Sequence, residues 1–147
     1  HIQPLQPDVI ILQVCVNDLK TIPLFPELKG EIISACENNI EAIIQKSRDL
    51  DSVVILTTVF PTSGKVPLAR KLVWSDEVYE AIDQVNVFLL KYQAEDVIVF
   101  DSSGMLSNSA GNTKSEYTRD LPHLNSNGYD ALNSELLTIL ESLNAAK

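Results

Sequence analysis

An aspartate and a histidine, Asp120 and His123, lie three residues apart in the segment 117–129. Three residues make about one turn, so both side chains can share one face of a turn. The carboxylate can then accept a hydrogen bond from one imidazole nitrogen, which leaves the other nitrogen to act as a base near neutral pH. The chain has two histidines, and the other is residue 1. His123 is therefore the candidate for proton transfer, and the alternative is a loop histidine that caps a backbone group.

A second polar pair, Asn17-Asp18, follows an apolar run at residues 9–16. Such a run is typical of a strand buried on both faces of a parallel sheet. Open α/β sheets carry their chemistry at the carboxyl ends of their strands, so this pair is a candidate site. The apolar, proline-bearing segment 19–30, which begins with Leu19, follows directly. It could form the wall of a pocket for an apolar group, or it could simply pack onto the domain.

The elements that must position these residues alternate between two patterns. Buried-strand patterns occur at residues 9–16, 52–60 and 97–101. Amphipathic helices are predicted from about residue 26 or 31 to 48, from 75 to about 92, and from about 126 to 143, the last after the capping residues Asn125, Ser126 and Asn127. Residues 102–119, rich in Ser, Gly and Asn, predict a loop. The order β-α-β-α-β-loop-α predicts a parallel α/β sheet, whose three strands would leave a long apolar edge.

Length and composition indicate one globular domain over residues 1–147, with 45% hydrophobic residues and a net charge of −9. The absence of a basic cluster disfavours a nucleic-acid partner, and the apolar runs are too short to span a bilayer. Cys15, in a predicted strand, and Cys36, in a predicted helix, are expected to be free thiols. Free thiols favour the cytoplasm, although the compartment, cytoplasmic or secreted, stays open. Asp120 and His123 alone are too few ligands for a zinc site.

Three blocks, in order along the chain, carry a family resemblance. Residues 7–18, which end in Asn17-Asp18, resemble the third block of the SGNH hydrolases, the GDSL-type esterases and lipases. Residues 53–61, which end in Pro61, resemble the next strand of that family. Residues 120–125, followed by Gly128-Tyr129, resemble its last block. The resemblance covers nearly the whole chain, and the combination is more specific than any one block.

The resemblance implies a three-layer α/β/α fold with flavodoxin-like strand order, and it implies ester hydrolysis by acyl transfer through a serine. His123 would act as general base and then as general acid, and Asp120 would orient it. Asn17 would donate its side-chain N–H to the oxyanion, for which an amide is suited because it does not titrate. Asp18 would hold the Asn17 loop, while Leu19 and Pro61 would support the substrate pocket. The expected partner is a small-molecule ester, and no metal or organic cofactor is implied.

Two departures from the family pattern stand out. The family has a glycine two residues before the asparagine, and this chain has Cys15 there. The substitution would tighten the strand end. Cys15 itself is expected to be inert rather than nucleophilic. The family's first two blocks, with the serine and an oxyanion-hole glycine, are absent. Ser102 and Ser103 do not match the serine block and are expected to turn a loop. The N-terminal strands and the serine are therefore expected upstream of His1, in a segment that stays bound or whose place another copy of the chain takes.

Two other functions compete with an esterase. The chain could be a non-catalytic α/β module that binds an ester or a glycan. It could also be an unrelated flavodoxin-like binding domain, which is disfavoured because no glycine-rich phosphate loop follows any predicted strand. A serine in an Asp-Ser context upstream would favour the enzyme. The ester and its acyl length are not readable from the sequence.

Overall fold

The computed structural model describes residues 3–64, 74–92 and 94–145. These residues form two compact units. The first unit contains the described residues up to 59 together with 74–92 and 94–101, and the second contains residues 60–64 and 102–145. The assignment of residues 1–147 to one incomplete domain stays a prediction.

The first unit is built on a parallel sheet, which has three strands in the described part of the chain. The strands are β1 (Val9–Leu12), β2 (Val53–Thr57) and β3 (Val97–Phe100), in the spatial order β1-β2-β3. The predicted parallel α/β class is confirmed. The central strand β2 is buried, whereas Ile11 on β1 is 48% exposed. The prediction that the first strand is buried on both faces is wrong: among the described strands β1 lies at the sheet edge, next to β2 alone, and one of its four residues is buried.

The first strand is also shorter than predicted. Its pairing with β2 runs from Val9↔Val53 to Leu12↔Leu56, and a one-turn helix, α1 (Val16–Leu19), follows. Cys15 between them has φ +83°, which an extended strand does not allow. Residues 13–16, predicted as strand, therefore form a turn and the start of a helix.

The two long helices of the first unit confirm the predicted amphipathic pattern. They are α2 (Lys29–Arg48) and α3 (Asp76–Lys91), which contact each other. Their buried apolar stripes are Ile33, Cys36, Ile40 and Ile44 on α2, and Val78, Ala81, Ile82, Val85 and Leu89 on α3. A short 3-10 turn, Gln3–Leu5, precedes the sheet.

Segment 19–30 packs onto the first unit in part, and its role as a pocket wall stays a prediction. It contains two 3-10 turns, Ile22–Leu24 and Pro26–Leu28, which contact α3 and α2. Leu19 and Ile22 are fully buried, so they pack in the core of the first unit. Leu24, Phe25 and Leu28 remain exposed.

The second unit consists of α4 (Ser102–Leu106), a 3-10 turn (Ser115–Tyr117) and α5 (Ser126–Ala145). The predicted loop over residues 102–119 is wrong in its first part, where α4 forms. Ser102 and Leu106, four residues apart on one helix face, are both fully buried, and this burial holds the helix turn. The last helix confirms its prediction, and α5 contacts the 3-10 turn.

The two cysteines form a disulfide, Cys15–Cys36, with the Cα atoms 5.8 Å apart. The prediction of free thiols is therefore wrong. The chain folds back between the two residues, so the buried stripe of α2 brings Cys36 against the turn that leaves β1. The inference of a cytoplasmic location rested on free thiols and loses that basis. In the described part of the chain no helix has the length and apolar character to cross a membrane.

Candidate active site

Asp120 and His123 are in direct contact in the second unit. The Nδ1 atom of His123 lies 2.7 Å from Oδ1 of Asp120, and the backbone N–H of His123 donates to the same oxygen at 3.3 Å. An ionised carboxylate only accepts, so this pairing places the imidazole proton on Nδ1. The His123 side chain is 61% exposed, and its Nε2 makes no hydrogen bond to any residue that the structure describes. The geometry is that of an oriented base whose outer nitrogen faces solvent.

A closed turn of the backbone holds this pair. The N–H groups of Arg119 and Asp120 both donate to the carbonyl of His123, at 3.0 and 3.3 Å. Thr118 and Leu124 form an antiparallel bridge at the base of the turn. Residues 118–124 therefore form a unit, called here the His–Asp turn, in which the acid and the base are linked by backbone as well as side-chain hydrogen bonds.

Asn125 fastens the His–Asp turn to α5. Its Oδ1 accepts from the N–H of Gly128 at 3.1 Å, which makes Asn125 the N-cap among the three candidates that the sequence offered. Its Nδ2 donates to the carbonyls of Glu116 and Thr118, at 2.9 and 3.3 Å, and its backbone N–H donates to that of Tyr117 at 2.8 Å. Sequence reasoning found the cap but missed the bonds to residues 116–118, because these partners lie seven to nine positions before Asn125 and no cap pattern includes them.

Gly128 explains why the turn can approach the helix so closely. A Cβ atom at this position would lie 3.0 Å from both the carbonyl oxygen of Tyr117 and Cβ of Leu124. Leu124 and Leu121 are buried, and the carbonyl of Leu121 accepts from the N–H of Ser63 at 2.9 Å. The apolar residues of the turn therefore point inward, while His123 faces outward.

Asn17, Asp18 and Leu19 all lie on α1 in the first unit. Asn17 and Asp18 are exposed, whereas Leu19 is fully buried. The amide of Asn17 makes no hydrogen bond to the described residues, so the backbone alone sets its position. The backbone carbonyl of Asp18 accepts from Thr21, from N–H at 3.0 Å and from Oγ1 at 2.6 Å. The main chain of Asp18 thus stabilises the Asn17 loop, and the role of its carboxylate stays a prediction.

Cys15 precedes α1 in a conformation that non-glycine residues rarely adopt, with φ +83° and ψ −35°. Such a backbone costs on the order of 1–3 kcal/mol and persists only where its surroundings hold it. The carbonyl of Cys15 accepts from the N–H of Leu19 at 3.0 Å, which closes the single turn of α1. The expectation that Cys15 is a free thiol in a strand is wrong on both points, whereas the expectation that it is not a nucleophile stays a prediction. Glycine at the corresponding position of the family would adopt this φ without steric cost.

Pro61 is buried in the second unit, and its carbonyl accepts from Oγ1 of Thr113 at 2.7 Å. An open cavity of about 710 Å³ lies in the same unit. Its lining includes Ser63, Asn112 and Thr118, but not Pro61. Pro61 therefore supports the loop that forms part of the cavity wall.

The described residues contain no group of three or more His, Cys, Asp or Glu side chains arranged to hold a metal ion. Among the predicted site residues, His123 has an imidazole oriented by Asp120, and Asn17 has an exposed side-chain amide.

Comparison with solved structures gives several similar folds. A crystal structure of a GDSL-like lipase from Bacteroides thetaiotaomicron matches with a TM-score of 0.67 and 18% identity, over 95% of this chain and 64% of that one. A Streptococcus pneumonia protein described as a candidate platelet activating factor matches with a TM-score of 0.68 and 26% identity, over 90% of this chain and 59% of that one. An acetyl xylan esterase matches with a TM-score of 0.59 and 19% identity, over 94% of this chain and 69% of that one.

This chain spans about three fifths of the length of the first two of these structures. No curated protein sequence matches it. The model of the GDSL-like Lipase/Acylhydrolase family matches residues 1–131, which include all three blocks and the His–Asp turn. The chain belongs to the GDSL-like lipase/acylhydrolase family.

Proposed function

We propose that this chain supplies the general base His123, its partner Asp120 and the oxyanion donor Asn17 of a serine carboxylic ester hydrolase. The observation that carries the proposal is the 2.7 Å contact from Asp120 to Nδ1 of a histidine whose ring is 61% exposed. That arrangement fixes the tautomer and turns Nε2 outward, as a general base for a hydroxyl nucleophile requires.

In the proposed reaction, Nε2 of His123 removes the proton of a serine hydroxyl as its oxygen attacks the ester carbonyl. Asp120 stabilises the imidazolium that forms, because its carboxylate accepts from Nδ1. Collapse of the tetrahedral intermediate transfers the proton from His123 to the leaving alcohol and leaves an acyl-serine. Water then repeats the sequence with His123 as base, which releases the acid.

Asn17 donates its side-chain N–H to the negatively charged oxygen of the tetrahedral intermediate. Two observations support this role. Asn17 is exposed, and no described residue accepts a hydrogen bond from its amide. A donor not already engaged can bind charge as it develops, which is where such a group contributes most to the rate.

We place the nucleophilic serine in a segment of the full-length protein that precedes His1. Support comes from the length of the structural relatives, of which this chain spans 64% and 59% in the first two. Support also comes from Ser102, which follows β3 in sequence but is fully buried and so poorly placed to attack a substrate.

The substrate class is a small carboxylic ester. Leu24, Phe25 and Leu28 offer exposed apolar surface for an acyl or aryl group.

Covalent labelling tests the proposal. The full-length protein and residues 1–147 alone are each treated with a fluorophosphonate ester, and the labelled residue is located by mass spectrometry. We expect stoichiometric labelling of an upstream serine in the full-length protein and no labelling of the isolated chain. His123→Ala removes the proposed base and should slow labelling of the full-length protein. Labelling of Ser102 or Ser103 would overturn the placement of the serine. A full-length protein that is folded but neither labelled nor hydrolytic would instead indicate an ester- or glycan-binding module.

A further inference from the structure

Cys15 and Cys36 form a feature that the reaction above does not use. Cys15 is one of three non-glycine residues with positive φ in the described chain, together with Gln6 and Asp51. It stands two residues before Asn17, where the family pattern has glycine. A side chain at φ +83° is sterically disfavoured, so without a constraint this backbone would relax towards negative φ.

The disulfide is the constraint. It joins Cys15 to Cys36, which lies on the buried stripe of the 20-residue helix α2 between Ile33 and Ile40. Cys15 is 5% exposed and Cys36 is 2% exposed, so both ends of the bond are packed. The turn that carries Asn17 is therefore attached covalently to a rigid element of the same unit.

The backbone of Cys15 determines where Asn17 lies. Cys15 is the N-cap of α1, and its carbonyl accepts the hydrogen bond from Leu19 that closes the only turn of this helix. Asn17 is the second residue of that turn, and no described residue holds its side chain. A change of φ and ψ at Cys15 therefore moves the amide of Asn17, because no described residue binds that side chain and only the main chain of α1 positions it.

We infer that the Cys15–Cys36 disulfide is a positioning element for Asn17, so that the hydrolytic rate depends on the redox state of this bond. The inference rests on the proposed function of Asn17. Reduction by a dithiol breaks the S–S bond, delivers two electrons and two protons to give two thiols, and converts the dithiol to its own disulfide. Cys15 then relaxes, Asn17 leaves the position that binds the oxyanion, and kcat falls while substrate binding is retained.

The experiment uses the full-length protein and an aryl acetate, with and without dithiothreitol, and the thiols are titrated to follow reduction. We expect reduction to lower kcat by ~10-fold or more with KM nearly constant, because the donor acts on the transition state. Reoxidation should restore the rate.

Two double variants separate positioning from simple stabilisation. Both C15A/C36A and C15G/C36A lack the disulfide, but only the glycine accepts a positive φ without steric cost. We expect C15A/C36A to behave like the reduced protein. C15G/C36A should keep a kcat close to that of the oxidised parent and should not respond to dithiothreitol. A disulfide that acts only through stability would lower both variants alike, and that result would overturn the inference.

Asn17→Ala in the same protein distinguishes this inference from the proposed function. If Asn17→Ala leaves kcat unchanged, the role of Asn17 fails. If Asn17→Ala lowers kcat but reduction and C15A/C36A do not, only the positioning role fails. Should C15A/C36A not fold, the side-chain amide signal of Asn17, assigned with Asn17→Ala, provides the readout. It should shift on reduction of the parent while the His123 ring signals stay in place, and an unmoved amide signal would overturn the inference.

Discussion

The two turns that carry the candidate chemistry are held in opposite ways. The His–Asp turn, residues 118–124, is held mainly by hydrogen bonds among residues 116–128, with one further bond from the N–H of Ser63 to the carbonyl of Leu121. The turn that begins at Cys15 and carries Asn17 is fixed by a disulfide to a residue 21 positions away and by a left-handed backbone.

This contrast has a physical consequence. Several hydrogen bonds stabilise the His–Asp turn, and each contributes about 1 kcal/mol, so the turn keeps most of its bonds when one is lost. In the Asn17 turn, one covalent bond keeps an unfavourable backbone conformation in place. We therefore expect the base to be robust to single changes around it and the oxyanion donor to be sensitive to a single bond.

The largest expected effect is at the centre of the His–Asp turn. His123→Ala in the full-length protein should lower turnover of an aryl acetate by ~10³-fold or more, because no other group supplies the base. The thermal midpoint should hardly change, since the side chain is 61% exposed. Asn127→Ala, an exposed change beside the same turn, is the matched control and should keep its activity. Turnover within about tenfold of the parent would remove His123 from the mechanism.

The Asn17 turn should give the next largest effect. Asn17→Ala should lower kcat by ~10²–10³-fold with little change in KM, because the amide acts on the developing oxyanion. Steady-state kinetics of the full-length protein separates the two parameters. Asp49→Asn, at an exposed residue of the same unit, is the control and should retain most of kcat. A change confined to KM would make Asn17 a substrate-binding residue.

Asn125→Ala tests how the His–Asp turn is fastened. The variant loses the cap of α5 and two side-chain bonds to residues 116 and 118, so the free energy of unfolding should fall by about 2 kcal/mol. Urea unfolding of the full-length protein measures the change. Asn127→Ala again serves as control and should cost less than about 0.5 kcal/mol. Equal decreases in the free energy of unfolding for the two variants would contradict the stabilising role of the Asn125 side chain.

The smallest expected effect is on stability, at an ion pair of the first unit that is distant in sequence from both turns. Arg48 binds Asp96 through two hydrogen bonds, at 2.6 and 2.9 Å, and lowers the pKa of that carboxyl below its usual 3.8. Because the folded pKa is below the unfolded one, the pair stabilises the fold above about pH 4 and loses this contribution as the pH falls through the folded value. Both side chains are about one third exposed, so the effect should be modest.

The measurement for this pair is the difference in thermal midpoint between the parent and Asp96→Asn at pH 7 and at pH 3. The difference should be larger at pH 7 and should shrink at pH 3. Asp49→Asn, a change at the exposed residue next to Arg48, should show no such pH dependence. A difference that grows towards low pH would contradict the assigned sign.

Sequence periodicity was enough to predict the long helices, the parallel class of the sheet and the pairing of Asp120 with His123. It failed at strand length and burial. Residues 13–16 have a strand composition, but Cys15 leaves the extended region and α1 begins. The apolar run of β1 suggested burial on both faces, whereas Ile11 is exposed because β1 lies at the sheet edge.

The sequence by itself determined the features that local interactions dictate. Asp120 and His123 are separated by one turn, and Asn125 caps the helix that follows, so the contact between the acid and the imidazole is local in sequence. Tertiary structure alone decided the state of Cys15. Cys15 can form a disulfide only if the position of α2 brings Cys36 within bonding distance. The left-handed backbone of Cys15 and the placement of Asn17 therefore also depend on where α2 lies. A contact across 21 residues depends on the packing of the whole unit, which no local pattern encodes.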